Sequence, residues 1–340
     1  MLPDFPVSYP RIWRALNALG SLKLTLVVLI VLAAGVIVTY ESTVRTAWAV
    51  AAPLFAVALN LAAAVATRPG FRRQTALLVF HLALIAIILL LAIGRLTYLE
   101  GQVELAEGEM FDGQLMQEES GPWHLRQRLN KVQFSNEGFT ISYTTSVKGL
   151  QRGPTQNWVG WITADGQAQR TVIGDQTPLT LESYRFYTTH NKGFAPVFRW
   201  HPADGSQDQI GAVHLPPYPK FEYKQVNEWQ PPGSRTILWI MLQFDEVILD
   251  PNQPSEFRLP TEHKLVIRIG EQRHELRPGD VLRLPEGVLE YRELRKWMGY
   301  KVSYDFTLPW LLAACIVAAL SMAVHFWRKF AARPWDQAAP

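Results

Sequence analysis

Along this 340-residue chain the apolar positions gather in four runs, residues 24–40, 47–67, 75–94 and 306–327. A bilayer core of ~30 Å needs ~20 apolar residues in a helix, so each run predicts a membrane span. Between the third and fourth runs the pattern changes to short stretches rich in Val, Ile, Thr and aromatics, punctuated by Gly, Asn, Asp and Pro. That alternation predicts strands and turns. The chain therefore divides into a terminus plus three spans (1–95), a β-rich extracytoplasmic domain (96–305), and a fourth span with its tail (306–340).

Within the β region, residues 131–134 and 139–147 flank Asn136-Glu137-Gly138, and residues 158–163 and 169–173 flank Ala164-Asp165-Gly166. Both read as hairpins. Further strands are predicted at 179–188, 197–201, 209–215, 236–249, 265–269, 281–284 and 302–304. No long helical period interrupts them, so the fold class is four transmembrane helices plus a mainly antiparallel β domain, a sandwich or an open-barrel-like arrangement. Pro216-Pro217-Tyr218-Pro219 and Pro231-Pro232-Gly233 mark stiff loops.

Charge sets the orientation. Lys and Arg near helix ends mark the cytoplasmic side; Arg11, Arg14 and Lys23 precede the first run, Arg68, Arg72 and Arg73 separate the second and third, and Arg328, Lys329 and Arg333 follow the fourth. The competing connections carry Arg45 and Arg95. Both termini are thus expected in the cytoplasm and the β domain outside, the periplasmic side in a bacterium. Trp13, Tyr40, Trp48, Tyr98, Tyr304, Trp310, Trp327 and Trp335 fall where interfacial rings belong. The first run follows basic residues as a secretory signal does, but no small-residue cleavage site stands out and two spans follow at once, so an uncleaved helix is expected. A net charge of +3 without a basic stripe argues against nucleic acid. The lone cysteine, Cys315, excludes an internal disulfide, and no Cys-x-x-Cys-His is present to attach haem covalently.

Ionisable groups inside spans are candidates for function. His81 lies about two turns into the third run, and His325 near the end of the fourth, on the same expected side. Two imidazoles at comparable depth can clamp a b-type haem; the plainer readings are a helix-to-helix hydrogen bond for His81 and a headgroup contact for His325. Asn60 is expected to bond across the bundle, Pro53 to kink its helix, and Cys315 to pack as a small residue. Outside the spans His124, His190, His201, His214, His263 and His274 show no metal-ligand spacing and read as scattered surface residues, and Glu107-Gly108-Glu109 reads as a charged turn. There is no nucleophile elbow, phosphate loop or dinucleotide fingerprint.

Several strings in order resemble one family. Leu19-Gly20-Ser21-Leu22-Lys23-Leu24-Thr25 opens the first span, and Phe80-His81-Leu82-Ala83-Leu84 sits early in the third. Val103-Glu104-Leu105-Ala106-Glu107-Gly108-Glu109 follows that span. Trp297-Met298-Gly299-Tyr300-Lys301-Val302-Ser303-Tyr304-Asp305 leads into the last one, which His325-Phe326-Trp327-Arg328-Lys329 closes. With the topology, these are similar to the ResB-type (CcsB) cytochrome c biogenesis proteins of the system II pathway. The resemblance implies a CcsA-like membrane partner, transient non-covalent haem b, and delivery of that haem for attachment to Cys-x-x-Cys-His of an apocytochrome c. It implies that His81 is the axial ligand to haem iron; His325 is the weaker candidate for a second ligand. No WWD-like segment is present, so the chain is not a fused single-chain synthase; the resemblance implies one part of a haem lyase, to which this chain need supply no acid, base or nucleophile. The very short first outer connection and the compact outer domain depart from longer members and leave open a full biogenesis subunit or a specialised paralogue serving one cytochrome. Two other classes stay open: a b-haem electron-transfer anchor, with a permanent haem between His81 and His325, and a scaffold for a membrane redox complex.

Overall fold

The computed structural model describes residues 10–41, 46–146, 149–163 and 165–331. Arg45, Val147, Ala164, Arg333 and Trp335, counted above, lie outside the described residues. The helices are α1 (Pro10–Leu19), α2 (Leu22–Glu41), α3 (Ala47–Thr67), α4 (Pro69–Arg73), α5 (Thr75–Thr97) and α6 (Leu308–Ala331). Of these, α2, α3, α5 and α6 are long and apolar enough to cross a membrane. Two compact units are present, one comprising Met1–Leu99, Glu119–Leu125 and Tyr304–Pro340, the other Glu100–Glu118 and Arg126–Ser303.

In the helical unit each span packs on the next. Side chains in lipid gain little from hydrophobic burial against one another, so close backbone approach at small residues carries the contacts. A Cβ on Gly35 of α2 would collide with the Ala49 carbonyl of α3, and one on Gly20 would lie 2.7 Å from the Ala64 nitrogen. Helix α3 meets α5 through Ala47, Ala51, Phe55 and Leu96. Helices α5 and α6 run antiparallel: Gly94 near the end of α5 faces Thr307 at the start of α6, and residues 74–77 at the start of α5 face His325, Arg328 and Lys329 at the end of α6. The segment after β1 returns to this unit, with the Trp123 amide donating to the Leu96 carbonyl (2.8 Å) and the Trp123 ring edge-on to Trp48.

The expected first span, 24–40, lies within α2, and a further helix, α1, precedes it across a break. Gly20 and Ser21 separate α1 from α2, and Asn60 of α3 explains the break. Its side-chain amide donates to the carbonyls of Leu19 (2.5 Å) and Ser21 (3.3 Å), while Thr25 donates to its oxygen (2.7 Å). A buried amide is thereby satisfied on both ends, so Asn60 serves structure, as the sequence suggested.

The strands are β1 (Leu99–Ala106), β2 (Gln117–Ser120), β3 (Ser135–Ser146), β4 (Gly149–Ile162), β5 (Ala168–Ile173), β6 (Leu179–Leu181), β7 (Tyr184–Pro202), β8 (Gln209–Ala212), β9 (Val226–Trp229), β10 (Leu238–Gln243), β11 (Ser255–Glu256), β12 (Lys264–Ile269), β13 (Gln272–Leu276), β14 (Val281–Leu284) and β15 (Gly287–Tyr304). They form three open sheets: a seven-stranded one ordered β2-β1-β15-β7-β6, with β14 on β15 and β8 on β7, and two four-stranded ones, β13-β12-β10-β9 and β11-β3-β4-β5. Both four-stranded sheets are antiparallel throughout. None closes into a barrel among the described residues.

The hairpin at 158–173 is formed, with Gly166 at φ +80° in its turn. The one expected around Asn136-Glu137-Gly138 is not. Those residues lie inside β3, where the pairing with β4 shifts register and Gly138 sits at φ +112°. The signal belongs to a β-bulge, which needs the same permissive glycine as a turn. The strand expected at 131–134 is not formed: Lys131 ends a 3₁₀ turn, Arg126–Lys131, and residues 132–134 lie outside any strand.

Buried polar groups tie the sheets together. Asn157 of β4 donates to the side-chain oxygen of Asn136 (2.8 Å) and to the Gly138 carbonyl (2.8 Å). Asn136 donates to the Leu105 carbonyl of β1 (2.9 Å), and the Tyr300 hydroxyl of β15 donates to Asn157 (2.8 Å). All three side chains are fully buried. Around them pack Phe111, Phe134 and Phe186 with edge and tilted ring contacts.

Candidate functional site

His81 sits in the second turn of α5, and its Nδ1 lies 2.7 Å from the Leu77 carbonyl one turn earlier. A carbonyl can only accept, so Nδ1 carries a proton, and in the neutral ring Nε2 then holds the lone pair. No hydrogen bond to Nε2 is formed among the described residues. The ring is bracketed edge-on by Phe71 of α4 (4.4 Å between centroids) and by Phe80 (5.3 Å). This arrangement fixes both the tautomer and the orientation of a neutral imidazole, as the outer partner of a ligating histidine does.

Gln74, Leu77 and His81 are spaced by three and four residues, so they share one face of α5. The first two line a cleft of about 540 Å³ whose opposite wall is His325, Arg328 and Lys329 of α6, again one helical face. His81 lies ~6 Å beyond Leu77 along the axis, four residues at ~1.5 Å each. The structure thus puts both sequence candidates at the same end of the α5–α6 pair. It does not bring their rings together: the ring contact of His325 is with Phe326 at 5.5 Å, and that of His81 is with Phe71 and Phe80.

A larger cleft, about 860 Å³, lies in the β-rich unit among Asp245, Glu246, Glu262, His263 and Lys264. Its walls are polar and charged, unlike the mostly apolar surface that encloses a flat organic ligand. His263 within it bonds the Tyr291 hydroxyl (2.8 Å), and burial lowers its pKa.

His214 is not the scattered surface residue that its spacing suggested. Nδ1 lies 3.5 Å from Glu104 and Nε2 lies 3.4 Å from Glu109, with the ring tilted over Trp297. Burial by itself lowers the pKa of this imidazole, but contacts with the two carboxylates raise it to about 9. Glu109 also accepts from the Ala106 amide (2.7 Å), so the charged turn at 107–109 closes onto β1. Two of the family-like strings, 103–109 and 297–305, therefore meet at His214. Their sequence separation hid that from any reading of spacing. Elsewhere in the β-rich unit Asp175 takes hydrogen bonds from Arg152, Thr155 and Thr188. Although burial pushes its pKa up, these bonds hold it at about 2.

Helices α2, α3, α5 and α6 joined to a β-rich unit inserted between the last two define a polytopic membrane protein with one large domain outside the apolar spans. The model of the ResB-like family matches residues 39–331, and the chain belongs to that family. The match includes His81, His214 and His325 and begins after the Leu19–Thr25 string. Comparison with curated proteins gives no significant match. Membership in the ResB-like family suggests involvement in cytochrome c biogenesis.

Proposed function

We propose that this chain is a haem-handling subunit of a system II-type cytochrome c synthase, acting with a CcsA-like partner. It presents haem b across the bacterial cytoplasmic membrane for attachment to the Cys-x-x-Cys-His of apocytochromes c. The termini lie in the cytoplasm in this reading, and the β-rich unit lies outside to hold partner and apocytochrome. The haem is cargo, bound non-covalently. What supports the reading most is His81: a neutral imidazole with Nδ1–H committed to the Leu77 carbonyl offers Nε2 as a ligand for haem iron. The residues present therefore fit the cargo. In this reading the second axial ligand comes from the partner, His325 being the weaker candidate.

The test is His81→Ala in cells expressing the partner, with membrane levels of the chain checked and two quantities read: the haem spectrum of the purified complex and the yield of covalent c-type cytochrome. Loss of both at normal protein level is expected. Normal haem and normal maturation would leave a scaffold as the better reading. Stable haem with a reversible low-spin spectrum in the isolated chain and unaffected maturation would favour an electron-transfer anchor.

A further inference from the structure

The cleft at the end of the α5–α6 pair contains more than the candidate ligand requires. Its α6 wall offers an imidazole and two cations on one helical face, His325, Arg328 and Lys329. Neither Arg328 nor Lys329 forms an ion pair among the described residues. The α5 wall, residues 74–77, carries no acidic group to neutralise them. Exposed cations that line a cleft of about 540 Å³ without a carboxylate partner among the described residues offer a place for an anion.

The stripe on α5 says which anion. Gln74 and Leu77 line the cleft and His81 continues their face one turn deeper. From the cleft-lining Leu77 and Gln74 to His81 is four and seven residues, ~6 to ~10 Å along the axis. A haem carries its iron at the centre of an apolar plane and two carboxylates at one edge, about that distance away. We propose that Arg328 and Lys329, aided by His325, form a carboxylate subsite that orients haem edge-first toward the helix end while His81 takes the iron. This rests on the haem-handling reading above and deepens it: His325 belongs to carboxylate recognition, not to iron ligation. Arg is suited to a planar, bidentate carboxylate contact and Lys to a point-charge one.

The experiment titrates the full chain, in nanodiscs of neutral phosphatidylcholine, with haem and separately with haem dimethyl ester, whose carboxylates carry no charge. Affinity is read from the absorption change. The double substitution Arg328→Gln with Lys329→Gln is expected to weaken haem binding tenfold or more and to leave the dimethyl ester unchanged. The conservative pair Arg328→Lys with Lys329→Arg should retain most of the affinity. His81→Ala should alter the spectrum with both ligands, whereas His325→Gln should leave the ligation spectrum intact. If the Gln pair binds haem as the wild type does while His81→Ala loses the haem spectrum, the subsite is wrong and the haem-handling reading stands. Equal weakening of both ligands would mean that the substitutions perturb the bundle, which also overturns the subsite. If repeating the titration with phosphatidylglycerol in the disc shows the Gln pair altering retention of that lipid but not haem affinity, the cations serve lipid phosphate and the proposal fails. A wild-type chain that binds neither ligand overturns the subsite.

Discussion

His214 offers a sharp quantitative test, because its position between Glu104 and Glu109 converts directly into a pH dependence of stability. Its imidazole titrates at about 9 in the folded protein against an ordinary 6.5, burial opposing and the two carboxylates driving the rise. A folded pKa above the unfolded one stabilises the folded state fully below pH ~6.5, and that contribution is lost as pH rises through about 9. The full shift, from 6.5 to about 9, corresponds to ~3.5 kcal/mol at ~1.4 kcal/mol per unit. The real figure should be smaller. The Nε2–Glu109 contact is long at 3.4 Å, Nε2 makes no hydrogen bond, and the Glu109 side chain is 42% exposed, so solvent screening reduces the gain to roughly 1–2 kcal/mol.

The assay is unfolding of the full chain in detergent, followed by tryptophan fluorescence at steps from pH 6 to pH 10, for wild type and His214→Gln. The quantity of interest is the difference between the two proteins. Burial lowers Lys192 to about 8, with Arg152 adding to the fall and Asp175 opposing it, so this residue favours the folded state more as pH rises from 8 and works against His214. It cancels in the subtraction. The wild type should exceed the variant by roughly 1–2 kcal/mol near pH 6, with the pH-dependent part of that advantage disappearing by about pH 9 to 10. A difference that stays constant across the range would refute the argument that the carboxylates hold His214 as an imidazolium.

Two other perturbations test the packing. Tyr300→Phe removes the donor to Asn157 in a fully buried network and should cost about 1–3 kcal/mol in denaturant unfolding, with the slope unchanged; a cost near zero would mean that Asn157 finds another donor. Gly35→Val places a branched side chain against the Ala49 carbonyl and should lower the yield of folded chain in membranes, whereas Val36→Ala at the exposed position beside it should not.

The spans and the β class were legible because both rest on local pattern. A run of ~20 apolar residues has few fates other than crossing a bilayer, and Val, Ile and Thr between Gly and Asn turns disfavour long helices. Even so, the break ahead of the first span was not anticipated: Gly20 and Ser21 part α1 from α2 where Asn60, far along the chain, donates to the carbonyls of Leu19 and Ser21. The bulge at Gly138 was misread as a turn for a related reason. Glycine signals positive φ, but whether the chain reverses there or merely shifts register depends on the partner strand, and β4 pairs on both sides of it.

The candidate site shows the same division. His81 stood out because an ionisable side chain in an apolar run is costly and so draws attention. Its tautomer follows from a carbonyl four residues away, which helix geometry makes predictable. The cleft that His81 follows needed α6, more than 240 positions later, to supply its charged wall, and the sequence showed Arg328 and Lys329 as orientation signals alone. One pair of residues can meet both demands, because cations that mark the inner face of a membrane are also where an amphiphilic dicarboxylate entering from that face would first be held. If the Arg328 and Lys329 substitutions separate haem from its dimethyl ester while the chain still inserts normally, recognition is a role these cations play in addition to orientation. His81 and the α6 cations would then act on the iron and the carboxylates of one ligand.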